Sequence, residues 1–358
     1  MNVKAVGMCI LLAAVATGVK TASAQSVSGS EGTGEVSRSI DLPDLSRRKI
    51  VDRSPKIGSD ETRRDLPIIN EPSLDQAFTT RSKSRDGSMR SIPPSGNLMN
   101  IIKQEIHGAI PERQPRPPSA RDNASGETDR KVIEPDERLR ISKTTAYPFR
   151  AIGQLWSVND HNEWSTCSAT LIGSRAIITA AHCLYSHEDG GWLHDYEFYP
   201  GLNGKDGVPF GKYSWKNAYV LQGFIDNYSG SYGSAMPWDL GILILDDTAG
   251  SSLGWLGYSV YDPAYNFTAN IVGYPGDKKE STMWRSTCNV DASLADKFNF
   301  IYDCDTYPGS SGSAVYDYNS STKSRSILGV NVAEDDKENI GTRLTRGNFA
   351  WVNQWAGN

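Results

Sequence analysis

Three short motifs carry residue types that can together perform nucleophilic catalysis. The motifs are TAAHC at 179–183, WDLGILIL at 238–245 and DTYPGSSGSA at 305–314. A serine hydroxyl is a weak nucleophile at neutral pH, so it needs a neighbouring base, and that base needs a carboxylate to orient it. The motifs supply one residue of each kind, and we predict that Ser311 is the nucleophile, His182 the base and Asp239 the orienting acid.

Glycines on both sides of the serine pair allow the third motif to form a tight backbone loop. Such a loop can point two backbone N–H groups at one position, which is the geometry of an oxyanion hole, and we expect Gly309 and Ser311 to supply them. Each motif alone also has a purely structural explanation, so the prediction depends on their combination. The order His, Asp, Ser, with no helical pattern after the serine, distinguishes the chain from the α/β-hydrolases.

The elements that must position these residues are predicted to be strands. Short β-branched runs separated by Gly, Pro, Asn and Asp lie at 170–172, 176–179, 240–245, 270–273, 313–316 and 327–332. Many such runs without long helical patterns between them predict an all-β domain built of barrels or sandwiches. Residues 349–355 form the one good helix candidate, at the end of the chain.

Composition divides the chain near residue 140. Of the 34 aromatic residues, 33 follow residue 140, and the first 140 residues have a formal net charge of +3 against −8 for the remainder. A segment without aromatic residues cannot easily build a core, so we expect the catalytic domain to span 139–358. The overall net charge of −5 argues against a nucleic-acid partner, which requires a basic surface.

Residues 1–24 are predicted to be a secretory signal peptide. Lys4 precedes a mostly apolar run, and Ala22 and Ala24 are the small residues that a signal peptidase reads. The run, about 15 residues long, is too short to span a bilayer comfortably, and no later stretch reaches about 18 apolar residues. We therefore expect a secreted protein, extracellular or periplasmic, with no membrane association after signal removal.

Residues 25–138 are predicted to be a pro-segment or linker that is mostly disordered. They are rich in Ser, Arg and Pro, and only 98–110 has the apolar spacing of a helix. A removable pro-region that covers and inhibits the acidic domain, a permanent linker and an expendable tail all fit this composition, and we favour the first. Arg138 and Arg140 indicate cleavage near Leu139 or Ile141.

Four cysteines remain after the signal peptide, and export favours their oxidation to disulfides. They are Cys167, Cys183, Cys288 and Cys304. Four cysteines allow three pairings. The adjacent pairing closes two loops with equal spacings of 16 residues, each of which would stabilise the fold by about 3 kcal/mol in the loop-entropy model. The nested and crossed pairings remain open at this point.

Taken in order, TAAHC, the acid that heads DLGILIL and PGSSGS resemble the motifs of the chymotrypsin-like serine proteases. GSSGS and the opening ISKTTAYPFRAI at 141–152 are similar to the bacterial V8-like branch, the glutamyl endopeptidases, and the resemblance covers 141–358. It implies two six-stranded antiparallel β-barrels with the active site between them, and the triad and oxyanion roles given above. It also implies a Cys167–Cys183 bridge beside the histidine and a substrate backbone paired along Val332, Ala333 and Glu334.

Departures from the family pattern leave open which side chain is preferred before the scissile bond. Members that cut after Glu have a histidine at the position of Asn331 and a Thr or Ser at that of Thr306, and this chain keeps only the threonine. Asn can donate a hydrogen bond to a carboxylate but brings no charge. Asp305 lies six residues before Ser311, where trypsins bind Lys or Arg, and Glu334 adds negative charge. An Asp in this slot also resembles Glu-specific members, and the alternative is that it caps a loop.

Other functional classes have less support. Neither HExxH nor CxxC occurs, and no dinucleotide or phosphate-binding fingerprint occurs, so we expect no metal and no cofactor. The expected partners are protein or peptide substrates of a monomeric enzyme. The alternatives are a non-catalytic binding protein on a protease fold, which would be expected to lack a triad member, and an esterase, which shares the nucleophile but not the motif order.

Overall fold

The computed structural model describes residues 25–33, 48–55, 71–107 and 135–357, except 206, 229–231, 262, 264 and 335–337. The predicted signal peptide lies outside the described residues, as do several stretches of the predicted pro-segment. No helix within the described ranges is long and apolar enough to cross a membrane.

The described parts of the predicted pro-segment form four strands and two helices. They are β1 (Ser26–Val27), β2 (Lys49–Ile50), α1 (Glu71–Ala77), β3 (Thr80–Ser84), β4 (Met89–Ile92) and α2 (Gly96–His107). The helix predicted within 98–110 is confirmed by α2. The β3–β4 hairpin is not evident from the sequence, because its residues are mostly polar and β3 gains a buried face only by pairing with a barrel strand.

Six antiparallel strands close the N-terminal barrel. The elements within residues 139–245 are β5 (Leu139–Arg140), β6 (Ile152–Val158), β7 (Glu163–Leu171), β8 (Ala176–Thr179), β9 (Tyr185–Ser186), β10 (Gly191–Trp192), β11 (Asp195–Pro200), β12 (Tyr213–Leu221), α3 (Gln222–Asp226) and β13 (Gly241–Leu245). Strands β6, β7, β8, β13, β12 and β11 pair in that order, and β11 pairs back with β6, which completes the barrel.

Six further strands form the C-terminal barrel. The elements are α4 (Ala249–Leu253), β14 (Gly257–Ser259), β15 (Phe267–Gly273), β16 (Trp284–Val290), β17 (Asn299–Tyr302), β18 (Ala314–Tyr318), β19 (Arg325–Glu334), β20 (Asn339–Arg343) and α5 (Arg346–Ala356). Strands β16, β15, β18, β19, β20 and β17 pair in that order. A disulfide joins Cys288 of β16 to Cys304, just after β17, and so links the two edge strands. The prediction of two six-stranded barrels is confirmed.

The predicted C-terminal helix is confirmed by α5, which begins after Thr345. The Thr345 hydroxyl accepts the backbone N–H of Asn348 and so caps the first turn of the helix. Helix α5 packs on β8 and β13 and on α2. This cover explains why β13 is apolar along its whole length, since one face lines the barrel core and the other lies under a helix.

Candidate active site

The strand pair β8–β13 places His182 next to Asp239. Thr179 at the end of β8 pairs with Gly241 at the start of β13, so the turns beyond this edge of the sheet face each other. His182 Nδ1 lies 2.7 Å from Asp239 Oδ2, and the backbone N–H of His182 donates to Asp239 Oδ1 at 2.9 Å. Both oxygens of the fully buried carboxylate are therefore engaged by one residue. The contact favours the imidazole tautomer with its proton on Nδ1.

Ser311 comes from the other barrel, and Ser168 of β7 anchors its loop. The Ser168 N–H donates to the carbonyl oxygen of Ser311 at 2.8 Å, and Ser168 Oγ donates to the carbonyl oxygen of Gly309 at 2.9 Å. Cys183, the residue after His182, has its Sγ 3.8 Å from the Ser311 carbonyl oxygen. These contacts hold the serine backbone against the turn that carries the histidine.

The reactive atoms of the two predicted partners are buried and unpaired. Ser311 Oγ and His182 Nε2 make no hydrogen bond among the described residues. Catalytic hydrogen bonds are often long in unliganded enzymes and shorten when substrate binds. The hydroxyl of Tyr232 lies 3.4 Å from His182 Nδ1, and the two rings meet edge-on.

Ser168 and Tyr232 are site residues that the motifs do not indicate. Ser168 lies within a strand next to a cysteine, and Tyr232 lies in a loop between strands. Nothing in their sequence neighbourhood marks either one, because each reaches the site only through the packing of segments far apart in the chain.

The backbone of the serine loop leaves two N–H groups available. The Pro308 carbonyl oxygen accepts the N–H of Gly276 at 2.7 Å. Because C=O and N–H point in opposite directions across a planar trans peptide, the Gly309 N–H points away from Gly276. Within the described chain, neither Gly309 N–H nor Ser311 N–H donates to a protein acceptor. Two backbone N–H groups without a protein acceptor can donate to the oxygen of a tetrahedral intermediate and stabilise its negative charge.

Gly312 makes the turn possible, and we expect Gly312→Ala to destabilise the protein strongly. Its φ is +83°, and an added Cβ would lie 2.2 Å from both the Ser168 carbonyl oxygen and Thr179 Oγ1. We expect the free energy of unfolding to fall by at least about 3 kcal/mol, from backbone strain plus steric overlap. Urea titration in a Ser311→Ala background, which prevents self-digestion, measures the change.

Gly204→Ala is the matched control for this prediction. Gly204 has nearly the same φ, +82°, but an added Cβ meets no heavy atom within 4 Å. Its cost is expected to be only the strain of a left-handed alanine, about 1 to 2 kcal/mol. Equal losses in the two variants would contradict the claim that close packing between the barrels makes Gly312 necessary.

A group of polar residues beside the serine loop occupies the predicted specificity region. The Asn331 carbonyl oxygen accepts the Gly312 N–H at 2.8 Å, which places Asn331 directly behind Ser311. Burial raises the pKa of Tyr302 well above its usual value, and the Glu334 carboxylate raises it further, so this hydroxyl is neutral. It donates to Asn331 Oδ1, which leaves Asn331 Nδ2 to donate to Glu334 Oε1 at 3.3 Å.

Thr306 and Asp305 are the two other polar residues of the predicted specificity region. Thr306 is buried, and its Oγ1 makes no hydrogen bond to the described residues. Asp305 is 5% exposed, and its Oδ2 accepts the backbone N–H of Glu137 at 2.8 Å. Asp305 therefore binds the segment that enters the C-terminal barrel, in agreement with the alternative that it caps a loop.

The segment around the predicted cleavage site is folded onto the C-terminal barrel. Leu139 and Arg140 form β5, which pairs with β16. The buried Arg138 guanidinium bonds to Asp136 and Asp277. Hydrogen bonds from Arg138 hold the pKa of Asp136 well below its usual range, although burial opposes the shift. A protease can cut at Arg138 or Arg140 only after β5 has dissociated from β16.

Comparison with known proteins gives consistent matches. The family described as the trypsin-like peptidase domain matches residues 167–321. The chain is 33% identical over 229 residues to the "Extracellular metalloprotease" of Bacillus subtilis, covering 63% of this chain and 69% of that protein. It is 31% identical over 231 residues to the "Glutamyl endopeptidase" of Bacillus licheniformis, covering 63% of this chain and 68% of that protein.

A solved structure of a Glu endopeptidase in complex with MPD is also similar. Its sequence is 25% identical and its TM-score is 0.54, and the match covers 63% of this chain and all of that chain. The fold of residues in the matched region is therefore shared with this Glu endopeptidase.

The name of the Bacillus subtilis relative raises the question of a metal. In the described part of the chain, the one group of three side chains that could hold an ion is Cys167, His182 and Cys183. The two sulfurs are bonded to each other in the Cys167–Cys183 disulfide, which with Cys288–Cys304 makes the adjacent pairing. A disulfide offers no thiolate ligand, and His182 Nδ1 is engaged by Asp239. These residues do not fit a metal centre.

Proposed function

Because the chain belongs to the chymotrypsin-like serine proteases, in the branch of the glutamyl endopeptidases, we propose that Ser311, His182 and Asp239 are its catalytic triad. One observation carries this proposal: Asp239 holds His182 through both carboxylate oxygens, and Nε2 makes no hydrogen bond among the described residues. The protein is a serine endopeptidase, and the proposal assigns its chemistry to named atoms.

The proposed reaction passes through an acyl-enzyme. Ser311 Oγ attacks the scissile carbonyl carbon while its proton moves to His182 Nε2, and the carbonyl oxygen takes up negative charge. The Gly309 and Ser311 N–H groups bind this oxygen. The C–N bond then breaks, and the proton on Nε2 passes to the leaving amine. A water molecule attacks the ester, gives a proton to Nε2 and releases Ser311 as a hydroxyl.

The proposal includes secretion of a precursor. Residues 1–24 are the signal peptide, 25–138 the pro-segment, which is cut from the enzyme during maturation, and 139–358 the catalytic domain. The two disulfides support an oxidising location, extracellular or periplasmic. The substrates are proteins or peptides, and the enzyme works as a monomer. Mass spectrometry of the protein in the culture medium tests secretion and processing, since a mature N-terminus far from 139–141 would contradict the assigned boundary.

The proposed preference is for Lys or Arg before the scissile bond. A Glu-binding pocket needs positive or donating groups, yet the Asn331 amide is already engaged by Tyr302 and Glu334. The Glu334 carboxylate lies buried in this region. Buried negative charge repels an acidic substrate side chain and attracts a basic one. Cleavage profiling of a peptide library tests the preference, and cutting mainly after Glu would overturn it without affecting the triad.

Glu334→Gln is expected to weaken cleavage after basic residues. The substitution keeps the size of the side chain and removes the charge that a Lys or Arg would meet, so kcat/KM for these substrates should fall by about ten- to hundredfold. Glu280→Gln is the control, because it makes the same change at an exposed residue of the same barrel. An unchanged ratio of basic to neutral substrates in Glu334→Gln would remove Glu334 from the specificity pocket.

A further inference from the structure

Residues 71–107, here called the N-terminal module, are built into the N-terminal barrel. The module comprises α1, the β3–β4 hairpin and α2. We propose that it remains bound in the working protease after the chain is cut between the module and the catalytic domain, so that the mature enzyme consists of two fragments. This inference rests on the proposed processing. It differs from it in one respect, because this part of the pro-segment stays bound to the catalytic domain after the cut.

The module extends the barrel sheet by two strands. Strand β3 pairs with β12 along five residues, and β4 lies outside β3. The Gln222 N–H donates to the Thr79 carbonyl oxygen at 2.8 Å, which continues the pairing beyond β12. Lys83 on β3 is buried, and its Nζ donates to the Leu193 carbonyl oxygen at 2.8 Å. Without the module, residues 217–221 of β12 would lose the partner strand β3 and expose backbone groups, because β11 pairs only with the start of β12.

The apolar side chains of the module belong to the main core. Phe78 is 1% exposed and meets the ring of Trp238 edge-on, with 5.1 Å between centroids. Trp238 is the residue directly before Asp239. The indole N–H of Trp351 in α5 donates to Thr80 Oγ1 at 2.9 Å, inside the protein. The other buried apolar residues of the module are Leu74, Ala77, Leu98, Met99 and Ile102. Release of the module would remove a packing partner from Trp238 and a hydrogen-bond partner from Trp351.

Helix α2 caps helix α5. The Glu105 carboxylate accepts the backbone N–H groups of Arg346 and Gly347 at 2.8 and 2.9 Å. These are the first residues of the eleven-residue helix α5, where unpaired N–H groups and the helix dipole favour a negative charge. Lys297 Nζ of the C-terminal barrel donates to the Ile106 carbonyl oxygen at 3.2 Å. The module therefore contacts both barrels.

Two shorter strands upstream add further attachment. Strand β1 pairs with β14, and β2 pairs with β7. Arg48 stacks over the Trp164 ring, with its Cζ 3.7 Å from the ring centroid, and forms an ion pair with Glu197. The apolar and strand-pairing contacts of the module lie mainly on β12, α3, α5 and the turn before Asp239. The module completes the core beside the proposed catalytic acid, which is where a segment that stabilises the catalytic domain would lie. A removable inhibitor would instead cover the substrate cleft.

A cleavable version of the full chain tests the proposal. Residues 118–124 are replaced by the site of a sequence-specific protease in a Ser311→Ala chain, which avoids self-digestion and makes the binding test independent of the proposed catalytic mechanism. After complete cutting, size-exclusion chromatography and mass spectrometry are expected to find both fragments in one peak at equal amounts. Elution of the N-terminal fragment by itself, with a folded catalytic fragment left behind, would overturn the proposal.

The same cut in the active chain tests function. Activity is expected to persist after cutting while both fragments co-elute. Activity that rises only when the N-terminal fragment is removed by denaturant and refolding would identify the module as an inhibitor and contradict the proposal. Inactivity of the uncut and cut chains alike, with co-elution intact, would count against the triad assignment alone.

Variants of the module test whether the two fragments are held together by the contacts described above or by a non-specific association. In the cut inactive protein, Phe78→Ala is expected to dissociate at a lower urea concentration than the parent, and Met89→Ala, an apolar truncation at a residue 56% exposed, is expected to match the parent. Glu105→Gln removes only the charge that caps α5, and it replaces Phe78→Ala as the test variant if Phe78→Ala does not fold. Identical urea midpoints for all three variants and the parent would refute the assigned contacts.

Discussion

Replacing Ser311 with alanine is expected to lower kcat for peptide hydrolysis by about 10⁶-fold, the size of loss known for deletion of the nucleophile in serine-protease triads. The substitution removes the hydroxyl that forms the acyl-enzyme. Ser168 and Cys183 contact only the carbonyl oxygen of Ser311, so the loop should keep its shape in the variant. Single-turnover and steady-state rates on a chromogenic peptide measure the loss.

Ser310→Ala is the matched control for this loss. Ser310 lies one position earlier in the same loop and is also buried, and its N–H donates to the Tyr307 carbonyl oxygen, a bond that alanine keeps. We expect the S310A protein to retain most of its activity. Labelling with a serine-directed phosphonate should modify the parent at Ser311 and leave S311A unmodified. Retained turnover in S311A would refute the nucleophile assignment, and no turnover in the parent would favour a binding protein.

Asp239→Asn is expected to lower kcat by about 10⁴-fold, which is the loss known for this change in the chymotrypsin-type triad that serves as the reference for this chemistry. One oxygen of Asp239 holds His182 Nδ1 and the other accepts the His182 N–H. An asparagine can keep the backbone contact only by turning its NH₂ group toward Nδ1. The ring would then carry its proton on Nε2 and could not accept the proton of Ser311.

Asp246→Asn provides the control at the other end of the same strand. Asp246 follows β13, is partly exposed and pairs with Arg85. The same chemical change there is expected to leave kcat close to that of the parent, because no atom of Asp246 contacts His182 or Ser311. A loss of less than about tenfold in Asp239→Asn would indicate that the carboxylate does not orient the base during catalysis.

Local patterns were sufficient to predict the strands, the C-terminal helix and an all-β domain, and the resemblance to the chymotrypsin-like proteases implied the two barrels. Runs such as 240–245 and 327–332 are β-branched and bounded by turn residues, so short-range preferences decide them. The hairpin of the N-terminal module shows the limit of this reasoning. Its sequence is polar, and a strand of that kind forms only because an edge of the barrel sheet offers it a partner.

The sequence also indicated which residues are available for chemistry, since the motifs around His182, Asp239 and Ser311 are local. Their arrangement depends on contacts between segments far apart in the chain. Ser168 ties the serine loop to the other barrel, and Glu334 engages the amide of Asn331. Neither contact has a signature in the neighbouring residues. Residue type and short-range spacing determined the fold class and the kinds of reactive group, whereas distances, buried partners and the place of the N-terminal module came from tertiary packing, which pattern analysis of one chain does not contain.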